Sequence, residues 1–214
     1  MNMQTKYKLL LTLLAGLLLW PAAAFAQSEL VVEYLDDNGE LIENALRDAI
    51  VQDSLRPADR VYVLRRGGLY YNVDTINNSG FHLRIVGETE DAVPAGEPDY
   101  GPAVIQMVEV DGGAARMFTI NNDFTLRNVW ITGQGDNGST TSYQPIQIDG
   151  TDRDIVIDNA IFERSNFQII GVTGRDNRMS VTNSVFRNFI NTTQQWEGRG
   201  ISFTAGAQSL VMEN

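Results

Sequence analysis

From residue 61 onward the chain alternates apolar and polar positions with a period of two, in short runs separated by Gly, Asn and Asp. VYVL (61–64), FHLRIVG (81–87), MFTI (117–120) and FTLRNVWITG (124–133) read as strands of this kind. Upstream, ELVVEYLDD reads as one more strand, ending in the turn Asp37-Asn38-Gly39. Between these regions the period changes. Ile42, Ala45, Leu46, Ala49 and Ile50 fall at helical spacing, with Glu43, Arg47 and Asp48 off that stripe, which predicts a helix over 42–53 that Pro57 keeps from running on. No other helical stripe follows.

The strands repeat. FTLRNVWI (124–131), IVIDNAIF (155–162) and MSVTNSVF (179–186) share the order apolar, any, apolar, any, Asn, any, apolar, apolar, and LVMEN (210–214) begins it again. The recurring asparagines, Asn128, Asn159, Asn183 and Asn214, are 31, 24 and 31 residues apart. Ile148, Val172 and Phe203 each lie 11 residues before one of the last three, whereas Ile120 lies 8 before Asn128. Repeats of this length built from short strands predict an all-β solenoid. Asparagine suits its position because it tolerates the left-handed region at a sharp corner, and because stacked amides can donate to one another from rung to rung.

This arrangement resembles the right-handed parallel β-helix of the pectate-lyase-like superfamily: an Asn ladder, rungs of uneven length and a helix before the first strand. DRVYVLRRGGLYYNVDTINNSGFHLRIVGE (59–88) is also similar to the first rungs of secreted β-helix proteins, including the chondroitinase B and alginate lyase group. The closer likeness is to bacterial exported proteins described as right-handed β-helix repeat-containing. The resemblance implies that the helix caps the apolar end of the solenoid and that saccharide lies along one sheet. It is specific for fold and not for activity, because the fold hosts lyases, hydrolases, isomerases, adhesins and non-enzymes. The expected organisation is a strand and capping helix over 27–58, then rungs over 59–214. The last rung reaches its corner at Asn214 without a third strand, so the chain reads as an N-terminal fragment of a longer protein.

The first 26 residues read as an address. Lys6 and Lys8 precede an apolar run from Leu9 to Trp20, which ends at Pro21 and the A-x-A exit Ala24-Phe25-Ala26. That pattern predicts a secretory signal peptide, and hence a secreted or cell-surface protein with no membrane span after cleavage. The net charge of −11 becomes −13 in the mature part. An acidic balance without a basic run excludes duplex nucleic acid as partner. Without cysteine, and with His82 as the one histidine, thiol chemistry and multi-histidine metal sites are also excluded.

Strand alternation places Ile146, Ile148, Ile170, Val172, Ile201 and Phe203 inside. It leaves two outward polar rows: Gln147, Gly171 and Ser202, then Asp149, Thr173 and Thr204. Rungs about 4.8 Å apart make such rows a strip suited to an extended polymer. Two insertions, 134–144 and 188–199, border it. The candidate saccharide-binding residues are Tyr143 and Trp196 for stacking, and Gln147, Asp149, Arg175, Glu197 and Arg199 for hydroxyls or a carboxylate. Gln194 and Gln195 support them, and Arg153 and Arg164 are reserve cations. A lyase needs a base and a cation beside the uronate carboxylate; a hydrolase needs two spaced carboxylates. Only Asp149 in these rows is acidic, so no hydrolase dyad is visible and no catalytic residue is assigned. No metal motif or cofactor is evident. Calcium is the one ion left open, because the acidic charge would otherwise repel a polyanionic glycan.

Lesser signals are the turn sequence Asp36-Asp37-Asn38-Gly39-Glu40, an outward His82, and an outward apolar row of Trp130, Ile161 and Val185. Two functional classes follow: a protein directed at extracellular polysaccharide, acting as a lyase on an acidic glycan, and a non-catalytic surface or adhesion protein that binds glycan or matrix.

Overall fold

A computed structural model describes residues 28–107, 116–133, 144–165, 168–189 and 199–214. The signal-like segment lies outside the described residues, as do Tyr143, Gln194, Gln195, Trp196 and Glu197. Strand β1 (Glu29–Val32) leads into helix α1 (Ala45–Gln52). Five coils of three strands then follow. They are β2 (Val61–Leu64), β3 (Leu69–Asn72) and β4 (Ile76–Asn78); then β5 (Leu83–Gly87), β6 (Ala103–Met107) and β7 (Arg116–Ile120). The third comprises β8 (Phe124–Arg127), β9 (Val129–Thr132) and β10 (Gln144–Ile148), and the fourth β11 (Asp154–Asp158), β12 (Ile161–Glu163) and β13 (Gln168–Val172). The fifth is β14 (Arg178–Thr182), β15 (Val185–Arg187) and β16 (Arg199–Phe203), after which β17 (Ser209–Glu213) starts again.

Each strand from β2 to β14 pairs in parallel with the one three places on, and β1 pairs with β2. The result is three sheets: a seven-stranded one from β1 to β17, and five-stranded ones through β3–β15 and β4–β16. The protein is a parallel β-helix. Five complete coils with a partial one at either side stand against the roughly six rungs the repeats predict.

The interior is one continuous stack. Tyr62, Leu64, Tyr70, Leu83, Ile85, Phe118, Phe124, Ile146, Ile157, Phe162 and Ile170 are fully buried. Phe162 and Phe186 stack at 4.9 Å with planes 16° apart, while Phe118 and Phe124 tilt at 5.7 Å. Such aromatic pairs contribute beyond their buried area.

The cap is shorter than the 42–53 stripe. Asn44 sits in the left-handed region at φ 59, which keeps the helix from starting before Ala45. Its Oδ1 accepts from the Val73 and Asp74 amides at 2.9 and 3.2 Å, tying the helix entry to the first coil. Leu46 and Ile50 cover the core, with Ile42 and Ala49 packed partly against it. Beneath lies a polar network. Arg60 Nε meets Asp53 Oδ2 at 2.6 Å, the Tyr62 hydroxyl donates to the same carboxylate at 3.2 Å, and Arg56 Nε donates to that hydroxyl at 2.7 Å.

The asparagine corners take the conformation expected of them: Asn128, Asn159 and Asn183 have φ of 55, 49 and 50. The ladder itself is interrupted. Asn159 Nδ2 donates to Asn128 Oδ1 at 3.0 Å, but Asn183 Nδ2 turns to Asp158 Oδ1 at 2.9 Å and Asn128 Nδ2 to the Gly87 carbonyl at 3.2 Å. Asn159 and Asn183 are exposed, so the corner is selected for its backbone angle more than for rescuing buried amides.

Candidate functional site

The face that carries the outward rows belongs to the β4–β16 sheet. Its register brings Asn77, Thr119, Gln147, Gly171 and Ser202 side by side, as alternation predicts. Its solvation differs from the expected wet strip. Gln147 and Ser202 are buried, at 3% and 8% exposure.

Part of the reason lies at the start of β7 and β13, where alternation fails. Met117 and Phe118 are both fully buried in the core, and so are Ile169 and Ile170. With two consecutive side chains turned inward, the residue before them falls on the outer face. Arg116, Gln144, Gln168 and Arg199 therefore form an additional outward row, in register across four coils. Gln144 and Gln168 lie over Gly171: a Cβ there would meet their Nε2 atoms at 2.2 and 2.4 Å. Gly171 is thus the gap into which both amides fold. Gln168 Nε2 donates to Gln144 Oε1 at 3.1 Å, and Gln144 Nε2 donates to Gln147 Oε1. The amide layer continues into Asp149, whose Oδ1 accepts from Gln147 Nε2 at 2.5 Å and from the Thr173 hydroxyl. Gln147 Nε2 also reaches Thr173 Oγ1 at 3.0 Å.

The structure groups Gln147 and Asp149 directly and places Arg199 at the far end of the same face, with its Nη1 3.4 Å from Ser202 Oγ. Arg175 stands apart, exposed on the corner after β13, where its amide donates to Thr151 Oγ1 at 3.3 Å and its carbonyl accepts from Asp152 N. Arg153 is folded into that corner stack, its Nη1 3.5 Å from Asn122 Oδ1. Arg164 lies 3.5 Å from Glu163. Gln144, Gln168 and Arg116 were not candidates on the alternation argument, because a strict period of two sends Gln144 and Gln168 inward with Ile146 and Ile170. The available signal was the consecutive apolar pairs Met117-Phe118 and Ile169-Ile170, each preceded by a polar residue.

A second anchored carboxylate borders this face. Glu163, 7% exposed, accepts from Arg187 Nη2 at 2.7 Å and Nε at 2.9 Å, and from Asn188 Nδ2 at 2.9 Å. Burial pushes its pKa up, but the Asn188 and Arg187 bonds outweigh burial and hold it below its ordinary value. Two residues on, Ser165 Oγ donates to the Gln168 carbonyl at 3.1 Å, linking this corner to the start of β13.

Elsewhere, His82 is not a plain surface residue. Its Nε2 lies 2.8 Å from Thr125 Oγ1, and burial, with Arg84 nearby, lowers its pKa. Asp36 closes the acidic turn by accepting from the Asn38 and Glu40 amides, both at 2.9 Å. Trp130, Ile161 and Val185 do align outward on the β3–β15 sheet, joined by Leu69 and Val104 in the same register. Among the described residues no three acids or histidines converge as metal ligands, and no helix is long and apolar enough to cross a membrane.

No protein-family model matches the chain, and no match is found among curated proteins.

Proposed function

We propose that the protein is an exported β-helix of pectate-lyase-like kind, directed at extracellular polysaccharide through the outer face of the β4–β16 sheet. The observation that carries this reading is the amide layer of Gln144, Gln147 and Gln168, packed over Gly171 and flanked in register by Arg116 and Arg199. The amides are buried and bonded to one another, so they fix the face, and the exposed Arg116, Asp149, Thr173, Arg199 and Thr204 around them present polar groups at strand spacing, which suits a polymer of hydroxyl-bearing units. The two arginines stand three strands apart, roughly 14 Å at about 4.8 Å per strand, and supply cations for carboxylate-bearing sugars. They offset locally a net charge of −11 that otherwise opposes a polyanion.

The non-catalytic reading, a surface or adhesion protein, is favoured by Asp149. This is the one carboxylate in the described rows of that face, and its Oδ1 already accepts two hydrogen bonds. The lyase reading draws on Arg199 and Arg175 as neutralising cations. Ultraviolet absorbance of unsaturated uronide, with pectate, alginate and chondroitin and with and without calcium, separates the two. A rising trace establishes the lyase, and a flat trace with retained glycan binding establishes the adhesin.

A further inference from the structure

The corner between the seven-stranded sheet and the β3–β15 sheet carries a pocket away from the face described above. The turn Arg65-Arg66-Gly67-Gly68 joins β2 to β3 there, and it is met by the segment after β1 and by the loop 88–102 between β5 and β6. Two tyrosines are seated on this turn. A Cβ on Gly67, which has φ 74, would stand 2.8 Å from Tyr100 Cβ, and one on Gly68 would stand 2.8 Å from Tyr34 Cδ1. Gly67 N donates to the Gly101 carbonyl at 2.8 Å, fixing the loop next to Tyr100. Tyr100 is thus anchored at its root, yet the residue is 79% exposed.

The pocket these segments line holds about 430 Å³, within the range of about 300–1,000 Å³ usual for small-ligand sites. Leu35, Val93, Pro94 and Pro98 join the two tyrosines as its apolar lining. Its arginines are already satisfied. Arg65 Nη1 meets Glu88 and its Nη2 meets Glu33, each at 3.0 Å, and Arg66 grips Asp99 through Nε at 2.6 Å and Nη2 at 2.7 Å. Among the described residues, Glu97 is the lining carboxylate left without a partner.

This pairing decides what the pocket suits. An anionic ligand finds no open cation in it, and a cationic one finds a single open carboxylate. An apolar side chain laid over the ion pairs would strip their water without replacing its bonds. A hydroxyl-bearing ring meets both demands: its C–H face packs on the Tyr100 ring, and its hydroxyls donate to Glu97 and to the paired carboxylates. We infer that this corner is a second carbohydrate site, taking pyranose rings of an uncharged glycan, with Tyr100 as stacking platform and Glu97 as hydroxyl acceptor. It shares no residue with the β4–β16 face and stands whether or not that face binds acidic glycans.

The test is calorimetric titration of the full chain with the neutral hexasaccharides cellohexaose, laminarihexaose and mannohexaose. At least one should bind saturably. Tyr100→Ala should weaken it about tenfold, whereas Tyr100→Phe keeps the ring and should hold affinity within about threefold. Glu97→Gln should weaken it roughly 3- to 10-fold. Both positions are exposed, so thermal unfolding should not change. Tetragalacturonate, an acidic competitor for the sheet face, should not displace the hexasaccharide; displacement would place the neutral glycan on that face and overturn the proposal. Absence of binding by all of these hexasaccharides, or binding that Tyr100→Ala leaves unchanged, also overturns it. So does octaproline binding that exceeds every hexasaccharide and is lost in Tyr100→Ala, which would assign the pocket to a peptide.

Discussion

Asn159 shows how one side chain serves a corner. It supplies a left-handed backbone and a bond to Asn128, and the two contributions separate by substitution. Asn159→Ala keeps neither and should lose about 1–2 kcal/mol in urea unfolding. Asn159→Gly keeps the backbone freedom and should lose less than about 1 kcal/mol. If alanine and glycine cost the same, backbone angle is not what selects asparagine there. Two glycines give a second contrast. A Cβ on Gly171 meets the side-chain ends of Gln144 and Gln168, whereas one on Gly174 would stand 1.8 Å from the Gly150 carbonyl oxygen. Side-chain amides can give way and stacked backbone cannot. Gly174→Ala should therefore cost about 3 kcal/mol against about 1 for Gly171→Ala, with Gly171→Ala showing its larger effect on glycan affinity.

At the scale of elements, the cap and the corner before β13 each depend on a carboxylate. Removing Asp53 leaves Arg60 and the Tyr62 hydroxyl without their shared partner, so Asp53→Ala should destabilise by about 3 kcal/mol or more in thermal or urea unfolding. Glu163 gives a pH signature. Its folded pKa lies below its ordinary value of 4.5, so its contribution is present above pH 4.5 and is lost as pH falls through the folded value. The stability gap between wild type and Glu163→Gln should be full near neutrality and shrink below pH 4.5. A gap that is constant from pH 7 to pH 3 would contradict the Arg187–Glu163–Asn188 arrangement.

Elements with strong patterns were legible in advance for a physical reason. Strands β8, β11, β14 and β17 repeat an alternating apolar pair before an asparagine corner, and both the period and the corner chemistry are visible in one sequence. The helix was visible as a stripe; its first turn was not, because the left-handed Asn44 breaks it and asparagine alone does not announce that angle. The rows Gln147–Gly171–Ser202 and Asp149–Thr173–Thr204 were placed by alternation. The row Arg116–Gln144–Gln168–Arg199 was not, since consecutive inward residues at a strand's first turn violate the alternation that had placed everything else.

Across the whole molecule, five coils bury a continuous apolar stack closed at one end by α1, and successive coils add positions to the outward rows. That architecture makes binding additive along the axis: a longer polymer engages more rungs, so affinity should rise with glycan length until the described coils are spanned. The most direct test is calorimetric titration of polygalacturonate, alginate and chondroitin into wild type, Arg116→Ala and Arg199→Ala. The account predicts saturable binding of at least one of these polymers, weakened about tenfold in each variant with the fold intact. Binding that both variants leave unchanged, or no binding of any polymer by the folded protein, would contradict it.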